Sequence, residues 1–212
     1  MRCSTSLWSA DLTRLASDLE RVEPYSEQFH LDVADGHYVP NLLFFPDLVK
    51  QLRPLTTKPL EIHLMVTDPM AWIDPFVDAG ADIILFCFDA TPSPGQVLEA
   101  IKARGRKAGF SLLIHESIGQ VQPYWNSLDV LCVVGTAMGI KGAIMDPGVP
   151  DKIRQARRLI RERGLPTVIE ADGGIRRETV PLLKAAGADF IVPGSLMFKE
   201  DPPAMREWLA GL

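Results

Sequence analysis

Three short stretches place ionisable side chains two residues apart. In Phe29-His30-Leu31-Asp32-Val33 the imidazole and the carboxylate alternate with apolar residues. In an extended strand, residues two apart share a face, so His30 and Asp32 point one way while Phe29, Leu31 and Val33 point the other. Glu61, His63 and Met65 share a face opposite Leu60, Ile62 and Leu64, and Glu170 shares one with Asp172 just before Gly173-Gly174. An ionised carboxylate buried without a partner costs several kcal/mol, so such groups need each other or a cation. His30, Asp32, His63 and Asp172 together make the ligand count of a divalent metal such as zinc, with mixed nitrogen and oxygen donors. A metal-free His–Asp hydrogen-bond network would use the same residues, and spacing leaves both readings open. A second set suits an anion. Asp172-Gly173-Gly174-Ile175, Pro193-Gly194-Ser195 and the cation-bearing Gly139-Ile140-Lys141-Gly142 are glycine-rich segments that let backbone N–H groups approach a ligand.

These side chains need a scaffold that aims several strands at one point. Strand-like and helix-like segments alternate along the whole chain. Strands are expected over Leu7–Ala10, Phe29–Val33, Pro59–Val66, Ile83–Phe88, Lys107–Ile114, Val130–Thr136, Thr167–Ala171 and Phe190–Val192. Helices are expected over Asp11–Val22, Phe45–Leu52, Asp68–Ala79, Gly95–Arg104, Ser117–Leu128, Pro150–Gly164, Arg177–Ala186 and Pro203–Leu212. Two similar tags, Asp78-Ala79-Gly80-Ala81-Asp82 and Lys184-Ala185-Ala186-Gly187-Ala188-Asp189, each stop a helix with glycine and start a strand. Alternating βα units imply a parallel sheet. Eight of them in 212 residues predict one domain, residues 1–212, folded as a closed α/β (β/α)8 TIM barrel. An open doubly wound sheet would favour a G-x-G-x-x-G turn after its first strand, and none is present there. In a barrel the C-terminal strand ends form the active face, where the three stretches above converge, and the last two strands commonly hold phosphate.

Composition narrows the function. Hydrophobic residues make up 47% and charged residues 23%, ordinary values for a globular chain. With 22 basic and 27 acidic residues the net charge is −5, and no basic block suggests nucleic-acid binding. Cys3, Cys87 and Cys132 form no C-x-x-C pair and lie in apolar runs, which predicts buried reduced thiols. No stretch has the roughly 18 apolar residues of a membrane span, and the N-terminus lacks a signal-like apolar segment. A cytoplasmic protein with no nucleic-acid or membrane partner, working as a homo-oligomer, is expected.

The thirteen residues Phe29-His30-Leu31-Asp32-Val33-Ala34-Asp35-Gly36-His37-Tyr38-Val39-Pro40-Asn41 resemble the signature of the ribulose-phosphate 3-epimerase family. So do Glu61-Ile62-His63-Leu64-Met65-Val66, Glu170-Ala171-Asp172-Gly173-Gly174 and Gly194-Ser195, while Ser6-Leu7-Trp8-Ser9-Ala10-Asp11 is similar to its N-terminal motif. The resemblance runs in order over essentially the whole chain. It implies a TIM barrel that inverts C3 of phosphorylated ketoses, using one divalent ion (zinc, manganese, iron or cobalt). By the same resemblance the metal ligands are His30, Asp32, His63 and Asp172, and the two acid/base carboxylates are Asp32 and Asp172. The substrate contacts it implies are Ser6, Gly173, Gly174, Gly194, Ser195 and the loop from Gly139 to Gly142; His63, Met65 and Lys141 are expected to contact the substrate as well.

Several positions depart from the family pattern. Ala34 and Val134 stand where methionine is usual, leaving Met65 of that apolar lining. Cys87 replaces a usual histidine, Leu113-Ile114 replaces Asn-Pro, and Met138-Gly139-Ile140-Lys141-Gly142-Ala143 replaces a Pro-Gly-Phe-Gly-Gly-Gln type of loop. An intact reaction core with altered lining predicts a ketose phosphate other than ribulose 5-phosphate as the best substrate, with Lys141 at its phosphate. Other readings are another isomerase or lyase on the same phosphate-binding barrel, or a non-catalytic sugar-phosphate binder. A related decarboxylase group carries Asp-x-Lys-x-x-Asp, but Asp32-Val33-Ala34-Asp35 has no lysine.

Overall fold

The computed structural model describes residues 1–212. Strands are β1 (Arg2–Ser6), β2 (Gln28–Asp35), β3 (Leu42–Leu43), β4 (Leu60–Met65), β5 (Ile83–Cys87), β6 (Lys107–Leu112), β7 (Val130–Val134), β8 (Val168–Asp172) and β9 (Phe190–Val192). Helices are α1 (Leu15–Val22), α2 (Pro46–Leu52), α3 (Ile73–Ala79), α4 (Pro94–Ala103), α5 (Val149–Arg163), α6 (Val180–Ala186), α7 (Ser195–Phe198) and α8 (Pro202–Gly211). All strands but β3 run parallel in the order β1-β9-β8-β7-β6-β5-β4-β2, and β1 also pairs with β2, so the sheet closes. This is the expected (β/α)8 barrel, and closure rules out the open sheet. β3 is a two-residue antiparallel addition to the end of β2.

Parallel strands are buried on both faces, and here the two faces differ in kind. The outward face, with Phe29, Leu31, Ile62, Leu64, Ile84, Phe86, Phe110, Leu131, Ile169 and Ile191, packs against the helices in one 51-residue apolar cluster. The inward face is polar on β1, β2, β4 and β8, and apolar on β5 and β7 around Ile83, Leu85, Val130 and Cys132. At Gly109 on β6 a Cβ would lie 2.4 Å from the Val130 carbonyl and 2.5 Å from Leu85. Gly109→Ala is therefore expected to destabilise the barrel by about 1–3 kcal/mol through overpacking, read as a lower urea midpoint at unchanged slope.

Four expected elements differ, one of them Asp68–Ala79, where a 3-10 turn, Pro69–Trp72, precedes α3. The first strand is Arg2–Ser6, and Leu7–Ser9 is a 3-10 turn. Its small polar residues hide the strand from a hydrophobicity pattern because their hydroxyls are paired inside: Thr5 with Ser26 at 2.6 Å and Ser6 with Asp32 at 2.8 Å. The Asp11–Val22 segment begins with a 3-10 turn, Leu12–Arg14, before α1. Ser117–Leu128 is two 3-10 turns, Ile118–Val121 and Trp125–Ser127, because Pro123 between them lacks the N–H a continuous helix needs. The three cysteines are buried free thiols, as expected. No helix is long and apolar enough to cross a membrane.

Candidate active site

The register brings the predicted side chains together. β2 pairs with β4 so that Asp32 sits beside His63, and Asp172 ends β8 across the barrel mouth. One donor atom from each of His30, Asp32, His63 and Asp172 lies within 4.8 Å of the others. His30 and His63 are fully buried, and Asp32 nearly so. Their rings meet edge to face, with His30 Nε2 3.3 Å from His63 Nδ1. Asp32 Oδ1 stands 3.4 Å from His30 Nε2 and 3.7 Å from His63 Nδ1, while its Oδ2 accepts a hydrogen bond from Ser6.

The outer nitrogens are anchored separately. His30 Nδ1 is 2.7 Å from Glu61 Oε1, and His63 Nε2 is 2.9 Å from Ser111 Oγ. Beneath them the Gln28 amide donates to Glu61, at 3.1 Å, and to Glu170, at 2.9 Å. A ring that gives its outer proton to Glu61 or Ser111 turns an inner lone pair toward the cluster. Two such lone pairs and two carboxylates aimed at one point fit a divalent cation, with the outer hydrogen bonds fixing the ring orientation.

Electrostatics point the same way. Burial opposes charge on His30, yet Asp32 and Glu61 outweigh it and raise its pKa well above the usual range. Burial likewise opposes charge on His63, and Asp32 and Cys87 lift it to about 9. Asp32 is pushed up by burial but held down overall by the two imidazoles, whereas Asp172 is raised by burial and by Asp32. Without a cation, the pocket draws protons into the space between its carboxylates. Burial and neighbouring Glu61 also raise the pKa of Glu170 well above the usual carboxylate range.

Above the cluster opens a cavity of about 340 Å³. It is lined by every expected substrate contact except His63, which is fully buried behind Asp32 and does not reach it. Arg176 and Lys199 join Lys141 on its rim, and none of the three pairs with a carboxylate within 4 Å. Lys141 instead donates to the Trp8 carbonyl at 2.7 Å and Arg176 to that of Gly142 at 3.4 Å, tying the loop across the mouth. The sequence reading missed Gln28, Ser111, Arg176 and Lys199. Ser111 was findable, since Gly109 and Ser111 alternate with Phe110 and Leu112.

Residues 2–198 match the model of the ribulose-phosphate 3 epimerase family. The chain belongs to this family. Ribulose-phosphate 3-epimerase of Bacillus subtilis is 34% identical over 200 residues, covering 93% of this chain and 92% of its own. That of Treponema pallidum is 37% identical over 194 residues, covering 91% and 89%. Among solved structures, a 3-hexulose-6-phosphate synthase aligns with a TM-score of 0.72 at 16% identity over 100% of this chain and 99% of that one, a likeness of fold. Family membership makes this chain a carbohydrate epimerase of the isomerase class.

Proposed function

We propose that this protein inverts C3 of a ketose phosphate, ribulose 5-phosphate or a relative, through an enediolate, with Asp32 and Asp172 as its acid/base pair. One observation carries the reading: Asp32 on β2 and Asp172 on β8 converge on one point at the cavity floor, and in the metal-free protein their pKa values are pushed in opposite directions. Paired titratable groups driven apart in this way suit a base and an acid working on the same carbon. Asp32, held ionised, removes the C3 proton from one face; Asp172, more easily protonated, delivers one to the other face. Ser6 steadies the Asp32 oxygen that faces away from the histidines. A divalent cation held by His30, Asp32, His63 and Asp172 would supply positive charge where the enediolate oxygens develop.

The opposite end of the cavity suits the phosphate. Gly173, Gly174, Gly194 and Ser195 bring backbone close, and Gly194 packs so tightly on Ser9 that a Cβ would lie 2.1 Å from its hydroxyl. Lys141 adds a point charge to that end. Lys141→Ala is expected to raise KM severalfold, with a lower kcat if loop closure limits turnover. Unchanged constants would leave Lys141 as a tie to Trp8 alone. The reading as a whole is tested by incubating the protein with four- to six-carbon ketose phosphates in D2O. Deuterium at C3 is the expected result, and no exchange with any of them would overturn it. The altered lining at Val134, backed by the altered Ala34 and Cys87 behind Met65, favours a substrate other than ribulose 5-phosphate, and ribulose 5-phosphate winning that panel by a wide margin would refute this part.

A further inference from the structure

The cavity is polar at one end and apolar at the other. Residues reach it from β1, β2, β4, β7, β8, β9 and the loops that follow, but none from β5 or β6. On the β5–β6 side it stops at Met65, Val134 and Met138. Ala34 and Cys87 back this wall, packed with Met65 and Met138, and Leu113 backs it against Met138 and the Val134 cluster. Both backbone groups of Leu113 are held by side chains: its N–H donates to Glu116 at 2.6 Å, and its carbonyl accepts from Lys152. Behind this wall, Ser111 and Tyr38 already have side-chain partners. Ser111 bonds His63, and the Tyr38 hydroxyl donates to Asp89 at 2.5 Å.

The connectivity of a 2-ketose phosphate sets which part meets this wall. With C2 and C3 at the carboxylate pair and the phosphate among the glycines and rim cations, the chain from C4 onward runs toward β8 and β9. C1 lies on the other side of the C2–C3 bond and is directed at Met65, Val134 and Met138. We propose that the site takes C1 as a methyl group, so that its preferred substrate is a 1-deoxyketose phosphate. This rests on the epimerase reading and adds the substrate class. A C1 hydroxyl there would leave water and find no partner. The chemistry is unaltered, because the C2 carbonyl still acidifies C3–H, and the wall offers no base to the equally activated C1 protons.

The test compares 1-deoxyxylulose 5-phosphate with xylulose 5-phosphate on the metal-loaded protein, by kcat/KM for C3 deuterium exchange and by calorimetric Kd. An apolar pocket discriminates against an added hydroxyl by up to about 10²-fold, so a preference of about 10- to 100-fold for the deoxy sugar is expected in kcat/KM. Val134→Thr, which adds a hydroxyl at nearly constant volume, is expected to shrink that ratio. Met65→Gln places an amide on the same wall from β4 and serves if Val134→Thr does not fold. Equal or better use of the hydroxylated sugar by the unmodified protein overturns the proposal and leaves the epimerase reading standing. A deoxy preference that neither variant reduces overturns the assignment of this wall as its cause. If neither sugar exchanges, while another ketose phosphate does, the deoxy proposal falls alone; if none exchanges, both fall.

Discussion

Asp32→Asn and Asp172→Asn are each expected to lower epimerisation on the order of 10²-fold or more, the scale of general acid–base catalysis. The two losses should differ in a way that only a two-base arrangement produces. In the proposed mechanism each carboxylate faces one side of C3, so it takes the proton from one epimer while its partner delivers the proton that forms the other. Asp32→Asn should stop C3 exchange with solvent from one epimer while largely sparing exchange from the opposite one, and Asp172→Asn should do the reverse. Proton NMR in D2O, starting from each pure epimer, reads this directly. Both residues also sit in the cation cluster, so metal content must be matched between variants. Near-normal epimerisation by either variant with metal bound would remove that residue from proton transfer.

Chelation followed by dialysis is expected to abolish exchange, and restoring zinc, manganese, iron or cobalt to recover it at about one ion per chain. A ligand at 1,000 times its Kd stabilises the folded state by about 4 kcal/mol, so Tm should rise by several degrees on loading, independently of any turnover. The pH dependence has a definite sign. A ligating imidazole must be neutral, and in the metal-free protein His63 holds its proton up to about pH 9. Apparent metal affinity should therefore climb as pH rises toward 9, and loading at pH 7 should release protons, seen as a buffer-dependent calorimetric heat. Stability of the metal-free form runs the other way. Because the folded pKa of His63 is raised above its unfolded value near 6.5, its contribution is present below about pH 6.5 and is lost as pH rises through about 9. Glu61→Gln weakens the carboxylate partner of His30 Nδ1 and should cost about 10–100-fold in metal affinity. No metal uptake under any of these conditions would leave the cluster as a hydrogen-bond network.

Much of the barrel and its reactive cluster was legible because β-strand alternation is a strong local signal. His30, Asp32, His63 and Asp172 each follow a polar-in, apolar-out pattern, and the register then brings them together. The strand carrying Ser6 was harder to see. Cys3-Ser4-Thr5-Ser6 has no apolar alternation, and its burial depends on partners remote in sequence such as Ser26, Asp32 and Glu61. Gln28 was missed for the same reason: its amide reaches Ser4, Glu61 and Glu170, and only the last two were themselves marked by spacing. Arg176 lies just beyond the turn after β8 and Lys199 at the end of α7, and both become rim residues only through the curvature of the closed sheet. His63 lies outside the cavity lining because face and depth are different things. It points inward, as its spacing requires, but sits one layer below the cavity floor.

The seam at β1 has a bearing on how the molecule comes into being. β1 pairs on one side with β2, where Ser6 lies beside His30, and on the other with β9, where Cys3 lies beside Ile191. Seven of the eight barrel pairings can form as their strands leave the ribosome, but the eighth, β1 with β9, waits for nearly the whole chain. Closing so long a loop comes late, because its entropy must be met before the contact rewards it. Asp32 and Asp172 belong to strands on either side of that last joint, with β1 and β9 between them. A chain that has not joined the two ends can form helices and most of the sheet, yet it lacks the Asp32–Asp172 pairing on which the proposed enolisation depends.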